Sequence, residues 1–266
     1  MARLQQNITF IGRLGNLSAY TMQGSDKVII RTKGGATKQK IKKSPSFAAT
    51  RRHNTEWKGV TTAGKAFRLG IYGIKHLADY NISGPLNALF KRIQTADTIT
   101  EAGKRSVNIS THHFILEGFN LNTRNLFDSI IRHPITCSID RALLTATINI
   151  PDLISGISFN NPGKQPFYRL VVSFGAVSDY MYHDQSDEYR PLEDNALISA
   201  IKKTDWLASK ADRPKATILL KPDMAVSITA YTSLIAGVGI EFGAPDAYGE
   251  INYIPYSGSG KVLKMG

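Results

Sequence analysis

Cysteine is almost absent from this chain: Cys137 stands alone, so no intrachain disulfide can form and a thiolate metal cluster is ruled out. No apolar run approaches the roughly 18 residues needed to cross a bilayer as a helix. The opening MARLQQNITFIGRLGN lacks an apolar h-region and a small-residue cleavage site, so we expect cytoplasmic synthesis without a Sec signal, the final location being left open. Without secretion, the Asn-x-Ser/Thr sequons at Asn7, Asn16, Asn81 and Asn108 carry no meaning. Acidic residues are few between Asp26 and Arg68. There Asp26 and Glu56 face twelve Lys and Arg, giving +10 of the formal net charge of +12. The remaining 21 basic and 19 acidic residues nearly cancel. At 42% hydrophobic, the chain has enough apolar material for a sizeable core and is not a disordered tail.

Most catalytic and ligand-binding patterns are missing too. Gly59 to Ala66 is one residue short of a P-loop: Ala66 stands where the Mg²⁺-ligating Ser/Thr belongs, and the stretch continues a helical pattern. His112-His113 sits in a strand-like stretch, which would point the two rings to opposite faces. His53, His76, His133 and His183 have no ligand spacing around them. Asp184, Asp187, Glu188, Glu193 and Asp194 form an acidic cluster without the alternation and turn glycine of a Ca²⁺ loop, and read as a solvated loop. There is no Gly-x-Ser-x-Gly elbow, and Cys137 lies mid-strand with no helix N-terminus to lower its pKa. We expect no catalytic residue, cofactor, metal or small-molecule substrate.

The elements follow from period and punctuation. Residues 7–33 read as an antiparallel meander with turns at Gly15-Asn16 and Gly24-Ser25-Asp26. Ala36 to Lys43 reads as a polar loop. Ser44-Pro45 reads as a helix start, with a helical period to about Tyr80 and a break near Gly59. Val60, Ala63, Phe67, Ile71, Ile74 and Ala78 share one face, and Arg51, Lys58 and Lys65 another. Ser83-Gly84-Pro85 opens a second helix with Leu86, Leu89, Phe90 and Ile93 inward, packed antiparallel on the first. After Ala96 the period changes. Strands are expected at 135–139, 144–150, 167–176, 217–220, 226–232, 234–242 and 249–254, a short helix at 196–206, and a flexible connector at Ser257 to Gly260. The fold class is α+β, mostly β: an N-terminal β-meander and helical pair over residues 1–98, then an antiparallel β-sandwich over 99–266.

Three stretches carry a family likeness: Gly12-Arg13-Leu14-Gly15-Asn16-Leu17-Ser18-Ala19-Tyr20, Phe47-Ala48-Ala49-Thr50-Arg51, and Gly237-Val238-Gly239-Ile240-Glu241-Phe242. With these the chain resembles uncharacterised protein families of Bacteroidota that pair an N-terminal hairpin with a basic helical segment and a C-terminal β-region. The resemblance implies that architecture and a bacterial origin, and brings no activity or site residues.

The basic segment is the main functional signal. Its candidate partner-binding residues are Lys33, Lys38, Lys40, Lys42, Lys43, Arg51, Arg52, Lys58, Lys65 and Arg68. The expected function is a non-enzymatic structural or assembly protein, a homo-oligomer or part of a larger particle. It would make contacts through the low-charge strands 167–176 and 234–242 and through the basic segment, which could meet the acidic loop of a neighbouring copy. The alternative is sequence-independent nucleic-acid binding through Lys33 to Arg68. Against it, Phe47, Trp57 and Phe67 do not form an interleaved stacking surface.

Overall fold

The computed structural model describes residues 10–21, 27–32, 34–193, 198–223 and 227–266. The chain is α+β with more strand (36%) than helix (25%), and its sheets are antiparallel and open. It divides into two compact units, Met1–Arg51 and Arg52–Gly266.

In the first unit β1 (Gly12–Leu14), β2 (Leu17–Thr21) and β3 (Val28–Thr32) form a meander in that order. Gly15 makes the first turn at φ 56°, a left-handed conformation that glycine adopts without penalty. The expected second turn at 24–26, and Lys33, lie outside the described residues. The stretch read as a polar loop is instead a helix, α1 (Lys38–Lys43). Thr37 caps it, its Oγ1 accepting from Lys40 N at 3.2 Å, and lysines in the last turn suit the negative end of the helix dipole. A 3-10 turn, Pro45–Phe47, follows with Pro at its first position.

Helix α2 (Ala48–Gly70) is followed by α3 (Tyr72–Lys75) and α4 (Ser83–Thr95). The helical break falls at Ile71, with Gly59 inside α2 and packed against the Tyr189 ring. Val60, Ala63, Phe67, Ile71 and Ile74 are fully buried, as are Leu86, Phe90 and Ile93. Phe67 meets Phe90 edge-on at 5.6 Å. The pairings of Glu56 with Lys91 and of Gly64 with Asn87 run antiparallel.

Next come α5 (Ile109–His112), α6 (Phe127–Ile130), β4 (Thr136–Asp140), β5 (Thr145–Ile150), β6 (Phe167–Ser178), β7 (Tyr180–His183), β8 (Glu188–Pro191), β9 (Ser199–Lys203), β10 (Leu207–Ala208), β11 (Ala216–Leu220), β12 (Thr232–Pro245), β13 (Ile251–Tyr253) and β14 (Ser259–Met265). In the six-stranded sheet β6 and β12 pair along their length; β9 and β10 flank β6, and β13 and β14 flank β12. A second sheet runs β11–β5–β4, and β7–β8 is a hairpin.

The period of two along β6 and β12 sorts the core into two layers. Leu170, Val172, Phe174, Leu234, Ala236, Val238 and Ile240 cluster with Ala146, Ile148, Ile150, Ile218 and Leu220 of the three-stranded sheet. Val171, Val177 and Ile235, on the other face, cluster with the helical residues Phe67, Ile71, Ile74 and Leu77. Glycines let the helices approach: a Cβ on Gly237 or Gly239 would strike Ile74 or Leu77, and one on Gly175 would strike the Gly70 carbonyl.

Strands 167–176 and 234–242 are interior, paired on both sides, and offer no free edge. Residues 199–203 form strand β9 where a helix was read. Residues 227–231 are not strand, and 224–226 lie outside the described residues. Gly258, Ser259 and Gly260 are buried at the start of β14 and are no flexible connector. His112 and His113 stand in α5 and the 3-10 turn after it.

Candidate functional site

The basic residues of the first unit stand on two elements. On the meander, Arg13, Ser18 and Arg31 are cross-strand neighbours and form one row. Strand spacing puts the two arginine Cα atoms roughly 10 Å apart. A polar cleft of about 460 Å³, bounded by Arg13, Ser18, Arg31 and Thr32, opens beside them. The Arg31 guanidinium lies 5.3 Å from the centroid of the half-exposed Tyr20 ring, a cation–π distance. On α1, Lys38, Lys40, Lys42 and Lys43 are all exposed. Arg51 has structural work: its Nη1 donates to the carbonyls of Ile41 and Ser44, both at 2.8 Å, closing the end of α1. Among its described residues this unit has no Asp or Glu.

The other candidates belong to the second unit. Lys58 and Lys65 are exposed seven residues apart on α2, roughly 10 Å along the axis. Arg52 lays its stem against Gly103, which sits at φ +108°. Arg68 is half-buried, and its Nη1 has no hydrogen-bond partner. Glu56 points inward: it accepts from Lys91 Nζ at 2.6 Å and from Gly103 N at 2.8 Å, with Arg105 Nε at 3.8 Å. Burial opposes its ionisation, yet those bonds hold its pKa below the ordinary carboxylate value.

The acidic loop is engaged within its own chain. Asp184 pairs with Lys104 at 2.6 Å and Asp187 with Lys58 at 3.8 Å; Glu193 accepts from Thr232 Oγ1 at 2.8 Å. Asp194 lies outside the described residues. Burial pushes the Cys137 thiol up to about 11, which favours the protonated form at neutral pH. Gly59 to Ala66 is continuous helix, without the strand and loop that a phosphate-binding turn requires. Among the described residues no group of three or more His, Cys, Asp and Glu is placed to hold a metal, and no helix is long and apolar enough to cross a membrane.

One ionic cluster escaped the sequence reading. Glu241, mid-β12 and 1% exposed, accepts from His76 Nε2 (2.6 Å) and Lys203 Nζ (2.8 Å) at Oε1 and from Arg169 Nε (2.6 Å) at Oε2. Arg169 is its cross-strand partner, and the guanidinium lies 4.2 Å over the Trp206 ring. Burial would raise the Glu241 pKa; the bonds from His76, Lys203 and Arg169 outweigh it and hold the value at about 2. The carboxylate is therefore ionised, and the imidazole is the donor. The available signal was one acid inside an otherwise apolar strand. Arg13 and Tyr20 were missed because the meander was read without the register that sets Arg13, Ser18 and Arg31 in one row. Comparison with known families, with curated proteins and with solved structures finds no match, so the reading of these residues rests on their own geometry.

Proposed function

We propose that the chain is a non-enzymatic nucleic-acid-binding protein whose first unit neutralises backbone phosphates without reading sequence. The second unit, with two antiparallel sheets sharing one core, serves it as a sandwich-like scaffold. One observation carries the reading: the smaller unit holds most of the net charge. Met1–Arg51 holds Arg3, Arg13, Lys27, Arg31, Lys33, Lys38, Lys40, Lys42, Lys43 and Arg51 against Asp26 alone, a net +9. The other 215 residues carry the remaining +3. A small unit with so few anions of its own is attractive to a polyanion. Two arguments for self-assembly lose their force. The low-charge strands are interior, and the acidic loop already has partners in its own chain.

The test replaces Lys38, Lys40, Lys42 and Lys43 with Gln, which keeps a good helix former at each position. On duplex DNA each lost phosphate contact should lower the salt slope of log K by about 0.9, and four should lower it by nearly four, whatever the sequence. Loss of affinity with unchanged molecular mass is the expected result; wild-type binding that is weak and insensitive to salt would reject the reading.

A specific feature favours assembly as the second reading. Ile11, Leu14 and Leu17 are exposed, and the first unit's described residues contribute to neither hydrophobic cluster. A three-stranded sheet that leaves such side chains exposed is marginal by itself. A second copy that covers it would show as a dimer or larger species in light scattering without nucleic acid.

A further inference from the structure

A charged cluster in the second unit has more cations than its one buried acid requires. Glu241 and Arg169 already form a balanced cross-strand pair at 2.6 Å. Lys203 is a cation surplus to that balance; it and His76 converge on the same carboxylate while remaining 41% and 38% exposed. A buried carboxylate with several partners is costly compared with an apolar residue of similar size. Here its geometric effect is to gather three donors at one point. Lys75 adds another positive charge from the end of α3.

These groups face a depression. Tyr72, Gly73, Lys75, His76, Ile201 and Lys203 line a cleft of about 420 Å³ between α3 and β9, within the usual range for small-molecule sites. Its floor is rigid: a Cβ on Gly73 would collide with Ile201 and Ser173, so α3 rests directly on the sheet. Its rim is apolar, with Tyr72 67% and Ile201 45% exposed. Surplus cations beside an exposed aromatic ring and a branched aliphatic side chain fit a ligand with two parts.

We propose that this cleft binds a small organic anion: an oxyanion head, carboxylate or phosphate, on an apolar body. Lys75 and Lys203 hold the head. Tyr72 and Ile201 cover the body. Glu241 is a positioning residue that fixes His76 and Lys203 in place.

The test uses the full chain labelled with ¹⁵N and four probes: phenyl phosphate, phenylacetate, inorganic phosphate and benzyl alcohol. The backbone amides of Gly73, Lys75, Ile201 and Lys203 report the cleft, which separates this site from polyanion binding by the first unit. We expect phenyl phosphate or phenylacetate to shift these amides saturably, with a Kd of about 1 mM or tighter. The stronger of the two identifies the head group. Inorganic phosphate, lacking the apolar part, should bind more weakly, and benzyl alcohol, lacking the charge, should leave the amides in place. Lys203→Met should weaken binding at least about tenfold, the scale of one lost charge-assisted hydrogen bond. Lys75→Met stands outside the Glu241 network and should also weaken binding, so it keeps the test decisive if the first variant folds poorly. Amides unmoved at about 10 mM of both aryl anions, equal binding of benzyl alcohol, or wild-type affinity in the folded variants would each overturn the proposal.

Discussion

At the scale of single residues, Glu241 makes the sharpest prediction. Its carboxyl is held at about 2 in the fold, against an ordinary value near 4.3 in the unfolded chain. A lowered carboxylate stabilises the fold above the unfolded pKa, and that contribution disappears as pH falls through the folded one. Between about pH 4.5 and 2 the protein should therefore lose on the order of 3 kcal/mol from this group. Glu241→Gln should show a flatter stability profile in that window, measured by urea melts at stepped pH. Asp97 is also held low, at about 2, and remains as the internal reference. Asp179 is shifted upward by burial, so its contribution has the opposite sign and does not mimic the effect. The helical face offers a simpler check. Phe67 is fully buried and Lys65 exposed, so Phe67→Ala should cost about 3–5 kcal/mol and Lys65→Ala no more than about 0.5. Equal thermal shifts would contradict this phase. That phase was legible because one apolar stripe repeats through six positions. Glu241 was not, because a lone acid in a strand names no partner, and His76 is 165 residues away.

At the scale of elements, legibility followed the apolar period. Long periodic stretches such as α2, α4, β6 and β12 were recognisable; α1 was not, because Lys38 to Lys43 contains only Ile41 as an apolar residue. Its one signal was Thr37, and Thr37→Ala should cost about 1 kcal/mol of local helix stability, visible as faster amide exchange from Lys40 to Lys43. Glycine misled the reading elsewhere. Gly258 and Gly260 suggest a linker in sequence, but in the fold they make room for Leu77 and Leu121. The same physics separates two substitutions. Gly175→Ala should destabilise by about 1–3 kcal/mol, because the new methyl meets the Gly70 backbone, which cannot rotate away. Gly34→Ala, with open space around it and no left-handed φ, should change stability by no more than about 0.5 kcal/mol. The melting temperature should fall for the first variant and stay in place for the second.

At the scale of the molecule, the question is which lengths of chain stand alone. The change of period after Ala96 separates helix from strand in sequence, yet the core does not respect it. Phe67, Ile71, Ile74, Leu77, Phe90 and Ile93 share a single cluster with Val171, Ile235 and Val262. The helix-facing side of the sheet carries Gly175, Gly237 and Gly239, which have no side chains to shield it once α2 and α3 are gone. A fragment of residues 100–266 would expose that face and leave Glu241 without His76. The boundary after Arg51 is different, because Met1–Arg51 contributes to neither cluster among its described residues. Residues 48–266, which retain all of α2, should therefore give a dispersed proton–nitrogen spectrum and a cooperative melt, and residues 100–266 should give neither. The longer fragment also tests the proposed function. It keeps only +4 of the +12 charge, having lost Arg3, Arg13, Lys27, Arg31, Lys33, Lys38, Lys40, Lys42 and Lys43 together with Asp26. If phosphate neutralisation resides in the first unit, its affinity for duplex DNA should collapse and its salt slope should approach zero. A folded 48–266 fragment that binds duplex as tightly as the full chain would move the interface onto the second unit, where Lys58 and Lys65 remain exposed on α2.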